Sequence, residues 1–151
     1  MKLTRIALFP LLLTTLAVAT PALAALGADA TSVQSDLVRM KGAVHVTEAA
    51  GFTVHEISTA YGTRVREFAG SDGKVFAVAW DGPVNPDLQQ VLGDYYPQFV
   101  QAAAAAHGSH RHLAIAQPGL VVQNNGRLRA FSGRAWVPAM LPQNFSVDQI
   151  Q

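Results

Sequence analysis

Five histidines are the side chains in this sequence best suited to ligand or proton chemistry, and His107, His110 and His112 fall within six positions. Neutral imidazoles are good ligands for zinc, copper or nickel. A site needs fixed geometry and a supporting shell, however, and Gly108 and Ser109 separate the three without fixing them. No carboxylate lies between Asp94 and Asp148 to complete a ligand set. The stretch from His107 to Arg111 reads as an exposed polar loop, and no metal is assigned to it. His45 and His55 form a second pair. Ala49-Ala50-Gly51 reads as a three-residue hairpin loop, which opposes His45 to His55, Val46 to Val54 and Glu48 to Phe52. Opposed side chains lie about 5 Å apart at Cβ, close enough to share a metal or a proton. Two ligands without a third define no site, and a one-residue slip would oppose His45 to Glu56 instead.

Arginines make the other recurring pattern. Arg64 and Arg66 alternate on one expected strand, Arg127 and Arg129 on another, and the period of two puts each pair on one side. Together they could form an anion-binding face. Glu56, Glu67 and Asp72 are near in sequence, so the expected role is a solvated strand surface with cross-strand ion pairs worth a few tenths of a kcal/mol each. Trp80-Asp81-Gly82-Pro83 could be the lip of a ligand site, but a Trp that ends a central strand reads better as a core plug. Trp136 admits the same two readings, with a cation–π contact to Arg134 available.

Catalytic signatures are missing. The chain has no Gly-x-Ser-x-Gly elbow, no His-Glu-x-x-His, no phosphate loop and no dinucleotide fingerprint. Without cysteine there is no thiol nucleophile, no disulfide and no thiolate zinc site. Ser71 sits in the turn Gly70-Ser71-Asp72-Gly73 with nothing to activate it. Ten acidic residues are scattered, and only a fold could bring two together. No catalytic, cofactor-binding or metal residue is assigned.

The elements that must position these residues read as strands, a helix, then strands. A short helix is expected between Asp29 and Met40, where Val33, Leu37 and Met40 keep helical spacing. Strands are expected over Ala43 to Glu48, Phe52 to Ser58, Thr63 to Ala69 and Lys74 to Trp80. Tyr61-Gly62 supplies one tight turn, and Asp72-Gly73 signals a type I′ hairpin. Val75 to Trp80 is apolar on both faces and belongs at the centre of the sheet. Asn85-Pro86-Asp87 has the form of a helix start with Asn as the cap. Leu88, Val91, Leu92 and Tyr95 form its apolar face, and Pro97 must kink or end it near Tyr96, with Phe99 to Ala106 continuing as a second segment. Leu120 to Gln123 and Arg127 to Phe131 flank the hairpin signal Asn124-Asn125-Gly126, and Arg134 to Val137 adds a last strand. The tail from Asn144 is expected to fray. The class is α+β: a mainly antiparallel sheet with a meander of about four strands, a kinked helix packed on one face, and a C-terminal hairpin.

The start of the chain changes the composition. Lys2 and Arg5 precede an apolar run from Ile6 to Ala19, and Ala22-Leu23-Ala24 fits a signal-peptidase site. The run is short of the roughly 20 residues that span a bilayer, so residues 1–24 are expected to be cleaved as a signal peptide. Residues 25–42 then form an N-terminal segment, 43–143 a single domain and 144–151 the tail. Removing 24 of 151 residues takes both basic residues away, and the net charge of +1 becomes −1. Such a chain has no basic footprint for nucleic acid, and no further run is long enough to anchor it.

Gly62-Thr63-x-Val65-Arg66-Glu67, together with Gly73-x-Val75-Phe76-Ala77-Val78-x-Trp80-x-Gly82-Pro83-x-x-Pro86-Asp87-Leu88, resembles the exported bacterial family catalogued as domain of unknown function 2844. Leu92-Gly93-x-Tyr95, Pro118-Gly119-Leu120-Val121-Val122, and Gly133-x-Ala135-x-x-Pro138 with Leu141-Pro142 are similar to its later segments. The likeness runs from about residue 50 to the C-terminus and leaves out the stretch from His107 to His112. It implies a secreted or periplasmic proteobacterial protein and carries no activity and no site residues. The reading is an exported, non-catalytic binding or envelope-assembly component, its partner an unknown protein or envelope element. The alternatives are a small secreted hydrolase and a periplasmic metal-binding protein using the histidines.

Overall fold

Val75-Phe76-Ala77-Val78-Ala79-Trp80 offers water no polar side chain on either face, a pattern that suits only a strand covered on both sides. The computed structural model describes residues 25–30, 43–106 and 112–151. Its strands are β1 (Ala43–Ala49), β2 (Phe52–Ser58), β3 (Arg64–Gly70), β4 (Val75–Gly82), β5 (His112–Gln117), β6 (Leu120–Arg127) and β7 (Ala130–Trp136). They form one sheet in the order β1-β2-β3-β4-β7-β6-β5, every pair antiparallel. The apolar run is therefore the middle strand of seven, and each of its residues is buried.

The expected meander is β1 to β4. The C-terminal half adds three strands rather than a hairpin. The chain leaves β4, crosses one face as helix, enters the far edge as β5, and returns inward until β7 pairs with β4. The Asn124-Asn125-Gly126 signal lies inside β6, and the turn falls instead at Leu128 and Arg129, with Arg127 paired to Ala130. Strand β6 has partners on both sides, β5 and β7, and a turn at 124–126 would sacrifice much of both ladders. Arg129 takes the left-handed backbone conformation that the displaced turn requires, φ 58°.

Helix α1 (Leu88–Leu92) and α2 (Tyr96–Ala105) are joined by a 3-10 turn at Gly93–Tyr95. The cap is Asp87, not Asn85: its carboxylate accepts from the backbone N–H of Gln89 and Gln90. The break occurs at Gly93 (φ 51°, ψ −125°), a conformation that suits a residue without Cβ. Pro97 does no harm, because it sits in the first turn of α2, where its missing N–H has no partner to lose. Val91, Leu92 and Phe99 pack with Val65, Val78, Trp80, Val122 and Ala135 on one face of the sheet.

The opposite face is covered in part by the C-terminal segment, which does not fray. Ile150 is buried with Phe68, Phe76 and Trp136, and Phe145 and Val147 pack against them. Residues 25–30 also pack: Leu26 N–H donates to Val91 O, and Gly27 N–H to Val75 O. Asp29 lies in a bridge with Lys74 rather than in a helix, and residues 31–40 of the expected helix are outside the described residues, as are residues 1–24. Among the described residues, no helix is long and apolar enough to cross a membrane.

Candidate functional site

Antiparallel register aligns side chains in rows across a sheet, because directly opposed residues share a face. Two rows cross the face away from the helices. One runs Ser58, Arg64, Asp81, Ser132, Asn125, His112. The next runs His45, Glu56, Arg66, Ala79, Arg134, Gln123, Ala114. Where the rows cross β3, β4, β7 and β6 they border a concave basin of about 510 Å³, lined by Arg64, Arg66, Asp81, Gln123, Ser132 and Arg134 and closed at one end by Ile150 and Gln151.

Asp81 holds two of the guanidiniums. Arg64 Nη2 reaches its Oδ2 at 2.9 Å and Arg66 Nη2 its Oδ1 at 2.7 Å. The hydrogen bond from Arg64 to Asp81, the Asp81 charge and the Glu56 charge hold the Arg64 guanidinium above its ordinary pKa. Arg66 Nε–H, shielded from solvent, has no acceptor among the described residues. Arg134 is braced differently. Its Nε donates to Gln123 Oε1 at 2.8 Å, its Nη1 to Val147 O at 2.9 Å, and its guanidinium carbon lies 5.6 Å from the Trp136 ring centroid. The cation–π contact open to Arg134 and Trp136 is thus made, while Trp136 itself is buried.

The arginine face differs in membership from the sequence expectation. Arg64 and Arg66 do share a face, but their companion is Arg134, whereas Arg127 ends β6 and Arg129 sits in the exposed turn. Their neutralising partner is Asp81. Glu67 is buried on the helix face, in register with Val78, and Asp72 accepts the Lys74 N–H within its own turn. That turn is not type I′, since Gly73 has positive φ and Asp72 does not. Sequence reasoning passed over Gln123, Asn125, Ser132 and Arg134 as a set. The available signal was polar residues at alternate positions on both β6 and β7, masked by reading Asn124-Asn125-Gly126 as a turn.

Trp80 is the core plug expected of it, 1% exposed among Val91, Leu92 and Phe99. The histidine pair does not form. The loop of the first hairpin has two residues, Ala49 pairs with Phe52, and His45 opposes Glu56 while His55 opposes Val46. The two imidazoles therefore lie on opposite faces. Burial lowers the His55 pKa below its ordinary 6.5. His112 begins β5, its Nδ1 2.9 Å from Asn125 Oδ1, while His107 and His110 are outside the described residues. Among the described residues no three His, Cys, Asp or Glu are grouped so as to hold a metal ion.

Searches of curated proteins and of solved structures return no significant match to the chain. The model of one family, described as a protein of unknown function (DUF2844), matches residues 22–150 and extends the likeness well beyond the segment from residue 50 onward. The chain belongs to that family.

Proposed function

We propose that the protein is exported and acts without catalysis as a binding component of the cell envelope, with the arginine basin as its binding surface. One observation carries the reading: a concavity of about 510 Å³ whose lining, among the described residues, holds three guanidiniums and one acidic side chain. Its volume lies in the range of roughly 300–1,000 Å³ common to small-molecule sites. Among the described residues of the lining, Ser132 has no histidine beside it and Asp81 no second acidic side chain. These are the pairs that serine hydrolases and glycosidases use. Export rests on Lys2, Arg5, the apolar run and the Ala22-Leu23-Ala24 site.

Native mass spectrometry of tag-free protein recovered from the periplasm of an expression host tests both parts. The expected result is a polypeptide starting at Ala25 that carries a small-molecule adduct, with the adduct missing from Ser132→Trp, which fills the basin from an exposed position. A bare polypeptide, or an adduct retained in Ser132→Trp, overturns the binding reading. A retained residue 1 overturns export with cleavage.

A further inference from the structure

We infer that the basin takes a small oxyanion carried on a hydroxylated body, the chemistry of a sugar acid or a sugar phosphate; this rests on the binding reading above. Arg66 and Arg134 occupy one row of the sheet with Ala79 between them. Two strand spacings put their Cα atoms about 10 Å apart, and only the small side chain of Ala79 stands between them in the row. Each is held in place by one set of bonds and keeps donors in reserve. Arg66 uses Nη2 on Asp81, and its Nη1 takes no part in that bond. Arg134 uses Nε on Gln123 and Nη1 on the Val147 and Ile150 carbonyls, so Nη2 is in none of these bonds. Two pre-positioned guanidiniums with unused N–H groups match the planar, charge-assisted bonding of a carboxylate or phosphate.

The charge of the lining side chains favours an anion over a cation. Arg64, Arg66 and Arg134 outnumber Asp81, and both carboxylate oxygens of Asp81 are already taken. Glu56, opposed to Arg66 on the outer side, reduces the excess. The rest of the lining selects the body of the ligand. The two large apolar side chains of the lining, Trp80 and Ile150, are each 1% exposed. Ser132 contributes a hydroxyl. Gln123 and Asn125 line the basin with their oxygens engaged by Arg134 and His112, and their amide N–H groups are in neither of these bonds. Donors of this kind suit sugar hydroxyl oxygens.

The test is calorimetric titration of the processed protein with glucuronate, glucose 6-phosphate, glucose and inorganic phosphate, on wild type, Arg66→Met and Ser132→Trp. Binding of glucuronate or glucose 6-phosphate with a Kd below about 1 mM, at least tenfold tighter than glucose or phosphate, supports the inference, and whichever of the two binds identifies the source of the oxyanion. Arg66→Met is expected to weaken that binding at least tenfold, and Ser132→Trp to remove it, each with an unchanged far-UV circular dichroism spectrum. Equal binding of glucose, equal binding of bare phosphate, or wild-type affinity in Arg66→Met overturns it. Should no probe bind while the native protein still carries a basin-dependent adduct, the ligand class fails and the binding reading stands.

Discussion

Trp80 lies flat over Gly133 across the β4–β7 pair, and the indole occupies the space that a Cβ on Gly133 would need. Trp80 is the largest fully buried side chain in the core. The glycine is therefore what allows the middle strand to carry an indole on the helix face while the neighbouring residues Ser132 and Arg134 face the basin. Gly133→Ala must push the indole into the helix layer or bend β7, since the Gln123 carbonyl lies 2.8 Å from the new Cβ on the other side. Overpacking of this kind costs about 1–3 kcal/mol. A urea unfolding curve should show the midpoint lowered with an unchanged slope, and an unshifted midpoint would sink this account of the pair.

Phe145 closes the second core. Its ring centroid lies 5.1 Å from Phe52, 6.2 Å from Phe68 and 4.8 Å from Phe76, edge-on or nearly so in each case. Such contacts add to the burial of apolar area. Phe145→Ala is expected to destabilise the protein by about 2–4 kcal/mol, short of the top of the usual range because the ring is only half-buried. It should also loosen the segment that brings the Val147 carbonyl to Arg134. Hydrogen exchange in residues 145–151 should therefore accelerate more than exchange in β3 and β4. A uniform acceleration would mean that the segment is not a separate layer.

His55 gives the fold a pH dependence. Burial lowers its pKa in the folded state below 6.5, so the unfolded chain binds the proton more readily. Stability is then complete above about pH 6.5 and falls as the pH drops through that value toward the lower folded pKa. His55→Gln should flatten this part of the stability curve between neutral pH and pH 5. Thermal unfolding at several pH values checks it, and a mutant curve parallel to wild type would assign the dependence to other groups.

The middle of the fold could be read from residues because its information is local. Val75 to Trp80 has no polar face, and Leu88, Val91, Leu92 and Tyr95 keep helical spacing, so burial dictates where both must go. Register was the weak point. Ala49 can sit in the loop or pair with Phe52, and that single residue moves His45 from His55 to Glu56. The same ambiguity at Asn124-Asn125-Gly126 hid β6, and with it the row that joins Gln123 to Arg134. Strand β5 carries only Leu113 and Ile115 as large apolar residues among alanines, too weak an alternation to announce an edge strand. The basin is assembled from β3, β4, β6, β7 and the C-terminus, and no sequence window contains it.

Asp81 separates stability from affinity at this basin. It binds Arg64 and Arg66, but its carboxylate is one-third exposed and Arg64 half-exposed, so solvent screening leaves the pairs a small part in stability. Asp81→Asn keeps the shape of the side chain and some of its hydrogen bonding while removing the one acidic side chain that the described residues place in the lining. Unfolding stability should change by less than about 1 kcal/mol. Affinity for an oxyanion should rise several-fold, because Arg66 is released and the ligand no longer faces a like charge. The rise should shrink in high salt, where screening shortens the reach of the carboxylate. Calorimetry of Asp81→Asn at two ionic strengths measures both effects. Weaker oxyanion binding in this variant would show that Asp81 holds the arginines in their binding geometry, and that its positioning role outweighs its repulsion.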